Sequence, residues 1–250
     1  MIRDETKSRR RFLTGVGGAG AALGLGFGLG TLAKAAHRRH GGTAPEPTDP
    51  AVDEWVEVED TPLEDLMREH AVLERVLLVY EEGARRLDAG ADFAPEILAK
   101  AGAIVRRYIE DHHERDEETH IFPRLEQIGA ELDLINTLRE QHAAGRRLTS
   151  DVIGLATLAT VRAAPERTRL VGAMRLFIRM YRPHAARENT VLFPAFRKAV
   201  SEKEYVSLQR ALEKSEREAF GDHLYETVLD EVRGLEGALG IGELAGVTPP

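Results

Sequence analysis

The feature that most restricts the fold of this chain is a segment that occurs twice, 71 residues apart. Residues 108–126 read YIEDHHERDEETHIFPRLE and residues 179–197 read RMYRPHAARENTVLFPAFR. His113 therefore aligns with His184, Glu117 with Glu188, Phe122 with Phe193 and Pro123 with Pro194. A lone histidine precedes each copy, His70 and His142, 72 residues apart. The chain is predicted to contain two copies of one helical hairpin.

Beyond Thr61 the apolar residues recur at helical spacing and no strand pattern competes. Thr61-Pro62-Leu63-Glu64 combines an N-cap, a proline at the first helical position and a capping-box glutamate. The first helix is expected over 62–89, and the second from Asp92 and Pro95 to about Ile128, with Pro123 bending or ending it. A third is expected over 131–161, a fourth over 165–200, and further helix from Ser201 to about Leu239. The fold class predicted is all-α: an up-down-up-down four-helix bundle over 62–240 with an additional C-terminal helix, then a tail over 241–250.

The spacing tests whether the histidines can meet. Each lies about 19 residues from its hairpin turn, or about 28 Å at 1.5 Å per residue, so antiparallel neighbours place all four at one level. His113/Glu117 and His184/Glu188 are i, i+4 pairs, which point a nitrogen and a carboxylate at one spot. With His70 and His142 they supply six N/O ligands. Such a set suits two iron ions; manganese or zinc fit the same donors, and calcium, which avoids imidazole, fits less well.

Other readings are weaker. A metal-free bundle would bury two carboxylates without a cation, at several kcal/mol each. A ferritin-like site needs Glu-x-x-His on two helices, whereas Glu110/His113 and Glu117/His120 both fall on the second. Glu74 and His120 are expected beside the site or at the surface, His112 and Asp116 toward solvent, and His223 in a structural role. Phe122, Phe177 and Phe193 are candidates for keeping water out.

The ordered set resembles the hemerythrin-like, or HHE cation-binding, proteins: a lone His, His-x-x-x-Glu with Phe-Pro, a second lone His, and a second His-x-x-x-Glu with Phe-Pro. The likeness covers about 62–200. It implies His70, His113, Glu117, His142, His184 and Glu188 as ligands of a non-haem diiron centre that binds or reacts with dioxygen, peroxide or nitric oxide. The alternative it implies is a non-catalytic iron-holding or iron- and oxygen-sensing module. Oxygen-carrying members have a fifth histidine where this chain has Arg146, and members commonly have an aspartate where it has Asn189. The nearer likeness is to members with four histidines and two glutamates.

Composition removes whole classes of chemistry. Among 250 residues there is no cysteine, so disulfides, thiolate zinc and iron–sulfur sites are excluded. The formal charge is −8, and because residues 1–35 carry six Lys/Arg against two acids, the rest carries about −12. Such a body is a poor partner for nucleic acid. No nucleophile triad, phosphate loop or nucleotide fingerprint is present, which leaves enzyme activity open. Ser8-Arg9-Arg10-Arg11-Phe12 runs into a Gly/Ala/Leu stretch that ends in Ala33-Lys34-Ala35, and so resembles a twin-arginine export signal over 1–35. That resemblance implies the export machinery as a partner and a periplasmic location, or an outward-facing anchor if the segment stays uncleaved. Residues 36–61, rich in Pro, Gly and acids, read as a flexible tether in which His37 and His40 are solvated.

Overall fold

A computed structural model describes residues 61–250 apart from 92–93, 222–223, 244, 246–247 and 249–250. The signal, the tether, His37, His40 and His223 lie outside the described residues. Among those described, the chain forms seven helices and no strand. Helix α1 is Pro62–Asp88. Helix α2 (96–127) alternates between α-helix (Glu96–Ile104, Glu114–Asp116, Phe122–Gln127) and π-helix (Val105–His113, Glu117–Ile121). Then come α3 (Leu132–Leu155), the short α4 (Leu158–Arg162), and α5 (164–199), in which π-helix Glu188–Leu192 interrupts α-helix. Helices α6 (Glu202–Phe220) and α7 (Leu224–Leu239) complete the chain.

Local chemistry accounts for the boundaries. The Thr61 hydroxyl accepts from the Glu64 amide while the Glu64 carboxylate accepts from the Thr61 amide at 2.8 Å, a capping box that opens α1. Ser201 and Glu204 repeat the device at α6. The third helix stops sooner than its periodicity suggests: Thr157 takes an extended backbone and its hydroxyl caps Thr160, which starts α4. The tail is two helices rather than one, parted at Gly221, whose φ of 80° is open to glycine at little cost. Pro123 and Pro194 do not end their helices. Each sits at the second position of the α-segment that follows a π-turn.

Helices α1, α2, α3 and α5 form a ring in which α1 packs on α2 and α5, and α3 packs on the same two, as the up-down-up-down order requires. Helix α7 lies against α1 and α2, tied by Arg75–Glu236 at 2.5 Å and Arg107–Glu231 at 3.0 Å. The apolar core is split in two. One cluster contains Val76, Leu98, Val152, Met174 and Phe177, and the other Leu66, Ile121, Leu125, Leu138 and Phe196. A buried polar layer that includes all six expected ligands is set in the same bundle.

Gly145 in α3 shows how closely this layer is packed. A Cβ there would lie 2.1 Å from the Tyr181 hydroxyl, so α3 admits that side chain only because the position is bare. Gly145→Ala is expected to destabilise the protein by about 1–3 kcal/mol through overpacking, despite alanine's better helix propensity. Gly172 in α5 faces open space, so Gly172→Ala should stabilise by about 0.5–1 kcal/mol. Urea unfolding of both variants checks this; a Gly145→Ala protein as stable as wild type or more so would contradict the packing assigned to Gly145.

Candidate metal centre

The six residues meet in the bundle interior as two quartets that share both carboxylates. His70, His113, Glu117 and Glu188 form one, and Glu117, His142, His184 and Glu188 the other, with the ligating atoms of each quartet within 4.8 Å of one another. Glu117, Glu188 and His142 are 0 % exposed. The His70 Nε2 lies 3.2 Å from a Glu188 oxygen, the His184 Nε2 3.0 Å from the other, and the His113 and His142 Nε2 atoms each 3.6 Å from Glu117. Around an ion with bonds of about 2.1 Å, adjacent ligand atoms stand about 3 Å apart, so the spacings fit a first-row metal at each quartet.

Each imidazole is held by its other nitrogen. The Nδ1–H of His70 donates to Asn189 Oδ1 at 2.8 Å, His113 to Glu69 Oε2 at 2.7 Å, His142 to Glu118 Oε1 at 2.8 Å and His184 to Gln141 Oε1 at 2.9 Å. These acceptors place the hydrogen on Nδ1 and leave every Nε2 a bare lone pair. Each quartet thus has one histidine oriented by a carboxylate and one by an amide. Phe193 stacks on His70 at 5.8 Å and Phe122 on His142 at 5.7 Å, each copy's phenylalanine covering the other copy's lone histidine. Phe177 is buried one layer away, stacked on Tyr181 at 4.3 Å.

A cation is what the arrangement lacks internally. The Nε2 atoms of His70 and His113 and all four oxygens of Glu117 and Glu188 are buried without a hydrogen-bond partner. The His142 and His184 Nε2 atoms face each other at 3.2 Å with both Nδ1 hydrogens already used. Two lone pairs so placed repel unless a positive charge lies between them. Burial, with repulsion from Glu188, pushes Glu117 well above the usual carboxylate range. Burial, reinforced by His70, depresses His113 to about 4, and burial likewise lowers His142, so both are neutral and ligand-ready at neutral pH.

Two of the residues around the six, His112 and Asp116, depart from expectation. His112 and Asp116 are buried rather than solvent-facing. Residues 105–113 are π-helix, which changes the angular phase assumed for α-helix, and α6 covers that side. Phe220 meets the His112 ring edge-on at 5.5 Å, and Ser215 donates to Asp116 at 3.1 Å. The His112 Nε2 reaches Glu69 at 3.2 Å, so one carboxylate serves His112 and His113. Burial opposes the Glu69 charge, yet these hydrogen bonds hold its pKa at about 2. Across the centre, Arg146 pairs with Glu118 at 3.0 Å and with Glu114 at 2.9 Å, and Tyr181 donates to Glu114 at 2.5 Å. Burial pushes Glu114 up to about 8. Glu74 is exposed and pairs with Arg182 at 3.0 Å, and His120 lines a surface cavity with Arg124, so neither joins the quartets. Sequence reasoning missed Glu69, Glu118 and Gln141 as orienting groups. The signal was there: acids and histidines fill so much of 110–120 that no single solvent face could hold them.

The depressed His113 pKa has a consequence for metal-free protein. Unfolded chain takes up this proton near 6.5 and folded chain only near 4, so acid favours unfolding across that window. The group alone should remove about 3 kcal/mol of stability between those limits. Urea unfolding of the apoprotein at pH 7 and pH 4 should therefore show a smaller loss for His113→Gln than for wild type. An identical loss would show that His113 titrates normally.

The chain matches the Hemerythrin HHE cation binding domain over residues 61–196. It is 42% identical over 210 residues, 83% of this chain and 82% of the relative, to "Uncharacterized protein Rv1995" of Mycobacterium tuberculosis strain H37Rv. The same identity and coverage hold for "Uncharacterized protein Mb2018" of Mycobacterium bovis. No solved structure matches. With its buried His/Glu quartets and a match over more than half its length, the chain belongs to the hemerythrin HHE cation-binding family and is a metal-binding, hemerythrin-like protein.

Proposed function

We propose that the bundle holds two iron ions, one at the quartet with His70 and His113 and one at the quartet with His142 and His184, Glu117 and Glu188 being common to both, and that the pair binds or reacts with a small ligand such as dioxygen, peroxide or nitric oxide. The observation that carries the reading is that the two quartets share both carboxylates. Ferrous ions held there would supply two electrons to such an oxidant. The chain's own part is to fix four imidazoles by their Nδ1–H bonds, to balance charge with two carboxylates and to exclude water with Phe122 and Phe193. Manganese and zinc fit the same donors.

Arg146 occupies the place of an oxygen carrier's fifth histidine, and its guanidinium is engaged by Glu114 and Glu118. That supports reaction over reversible loading. Iron-loaded protein should contain close to two ions per chain, and degassing after exposure to air should not restore the ferrous spectrum. Chelation should lower stability by several kcal/mol, because it leaves Glu117 and Glu188 buried and unpaired. An unchanged melting temperature after complete chelation would sink the buried-centre reading. Ferrous protein inert to oxygen, peroxide and nitric oxide alike would leave a metal-holding or sensing module.

The same proposal includes export in folded form. None of the helices among the described residues is long and apolar enough to cross a membrane. Arg9, Arg10 and Arg11 changed together to lysine should trap the protein in the cytoplasm, since a receptor that reads guanidinium forks rejects ammonium groups. Cell fractionation decides it, and normal export of that variant would remove the twin-arginine reading.

A further inference from the structure

We infer that small neutral ligands enter and leave the centre through the groove between α1 and α5, and that the opposite groove, between α2 and α3, is closed. The inference rests on the metal reading above. A cavity of about 290 Å³ lies in the α1/α5 groove, and its lining includes His70 itself and Asn189, the partner of the His70 Nδ1. Ala71 from α1 and Ala185 and Ala186 from α5 leave the groove open beside the bulkier Met67, Leu73, Leu77 and Tyr181 of its lining. At about 30 Å³ per water it has room for several small molecules. Two larger cavities, one beside His120 and one between Glu81 and Arg175, touch none of the six expected ligands.

The internal repeat supplies a control within the same molecule. Ala185, Ala186 and Asn189 align with Glu114, Arg115 and Glu118, and Ala71 and Glu74 align with Ala143 and Arg146. Where the α1/α5 groove carries alanines, the α2/α3 groove carries Arg146 bridging Glu114 and Glu118, with Glu118 also holding His142 and Glu114 holding Tyr181. That plug ties up a buried carboxylate, and opening it would leave a charge or a hydroxyl unpaired in the interior. The rim of the open groove has no such constraint. Arg182 there pairs with Glu74 at 3.0 Å and Glu81 at 2.6 Å, and all three side chains are substantially exposed, so these bonds exchange with water freely. Glu74 and, beyond the lining, Glu81 engage the groove's Arg182, so the rim offers no unpaired cation to hold an anion.

Nitric oxide is a suitable probe, because its binding to ferrous protein is read optically. Ala185→Phe fills the groove from α5, and Ala71→Phe fills it from the exposed side of α1 should the first variant fail to load metal. Ala143→Phe is the matched control in the closed groove. Stopped-flow measurements should show association and dissociation of nitric oxide slowed together, by tenfold or more, in the α1/α5 variants. Their ratio and the iron content should stay at wild-type values, since a blocked passage changes rates and not affinity. Ala143→Phe should match wild type. Wild-type rates in both loaded α1/α5 variants, or slowing by Ala143→Phe alone, would overturn the inference. Wild-type protein that holds two irons but takes up no nitric oxide would also overturn it while leaving the metal reading intact, and protein that holds no iron would remove both.

Discussion

Everything in this bundle depends on two carboxylates, Glu117 and Glu188, placed between four imidazoles and sealed from water. A carboxylate in that position is costly unless cations neutralise it, and the penalty for two is comparable to the net stability of a whole domain. The chain's own groups do not supply the charge. His113 and His142 are neutral there, and the nearby Arg146 is spent on Glu114 and Glu118. Packing of the two apolar clusters therefore supports a centre that is only half complete in the polypeptide. A metal held there would link binding to folding through the same two side chains.

The inner set is close to two-fold symmetric and the layer around it is not. Each quartet has two histidines and both carboxylates, as two copies of one hairpin would give. Outside it, Glu69 is shared by His113 and His112 beneath α6, whereas Glu118 is shared by His142 and Arg146. A second imidazole and a guanidinium withdraw charge from those carboxylates to different degrees, so the surroundings of the two quartets differ despite their matching residues. The helices added beyond the repeat contribute to this, because Phe220 and Ser215 of α6 bury His112 and Asp116.

How much of this the sequence disclosed follows from the kind of signal each feature leaves. The convergence of the six candidate residues was legible because His113/Glu117 and His184/Glu188 recur with their Phe-Pro, and counting from the turns puts His70 and His142 at the same height. The bundle was legible for the same reason. The break at Thr157 was not, because a hydroxyl that caps a short helix looks like any other threonine within an apolar-periodic run. Nor was the burial of His112, which depends on contacts with a helix about a hundred residues later in the chain. The Nδ1 partners were hidden more deeply, since Glu69 stands next to His70 in sequence yet orients His113 on another helix.

The π-turns explain one alignment that regular helix geometry forbids. At 100° per residue, Phe122 would lie five steps, or about 140°, around the helix from Glu117, pointing away from the centre. A π-turn accommodates one extra residue, which removes about 100° of that advance and brings the ring to within about 40° of the carboxylate. Such a turn spans Glu117–Ile121 in the first copy and Glu188–Leu192 in the second. The rings of Phe122 and Phe193 then stack on His142 and His70. The same widening suits the prolines that follow, because a proline in regular helix clashes with the carbonyl four residues back, here that of Thr119 or Thr190. Glu, the π-turn and Phe-Pro thus act as one unit. The glutamate faces the imidazoles, the turn restores the phase, and the phenylalanine it redirects seals the opposite histidine.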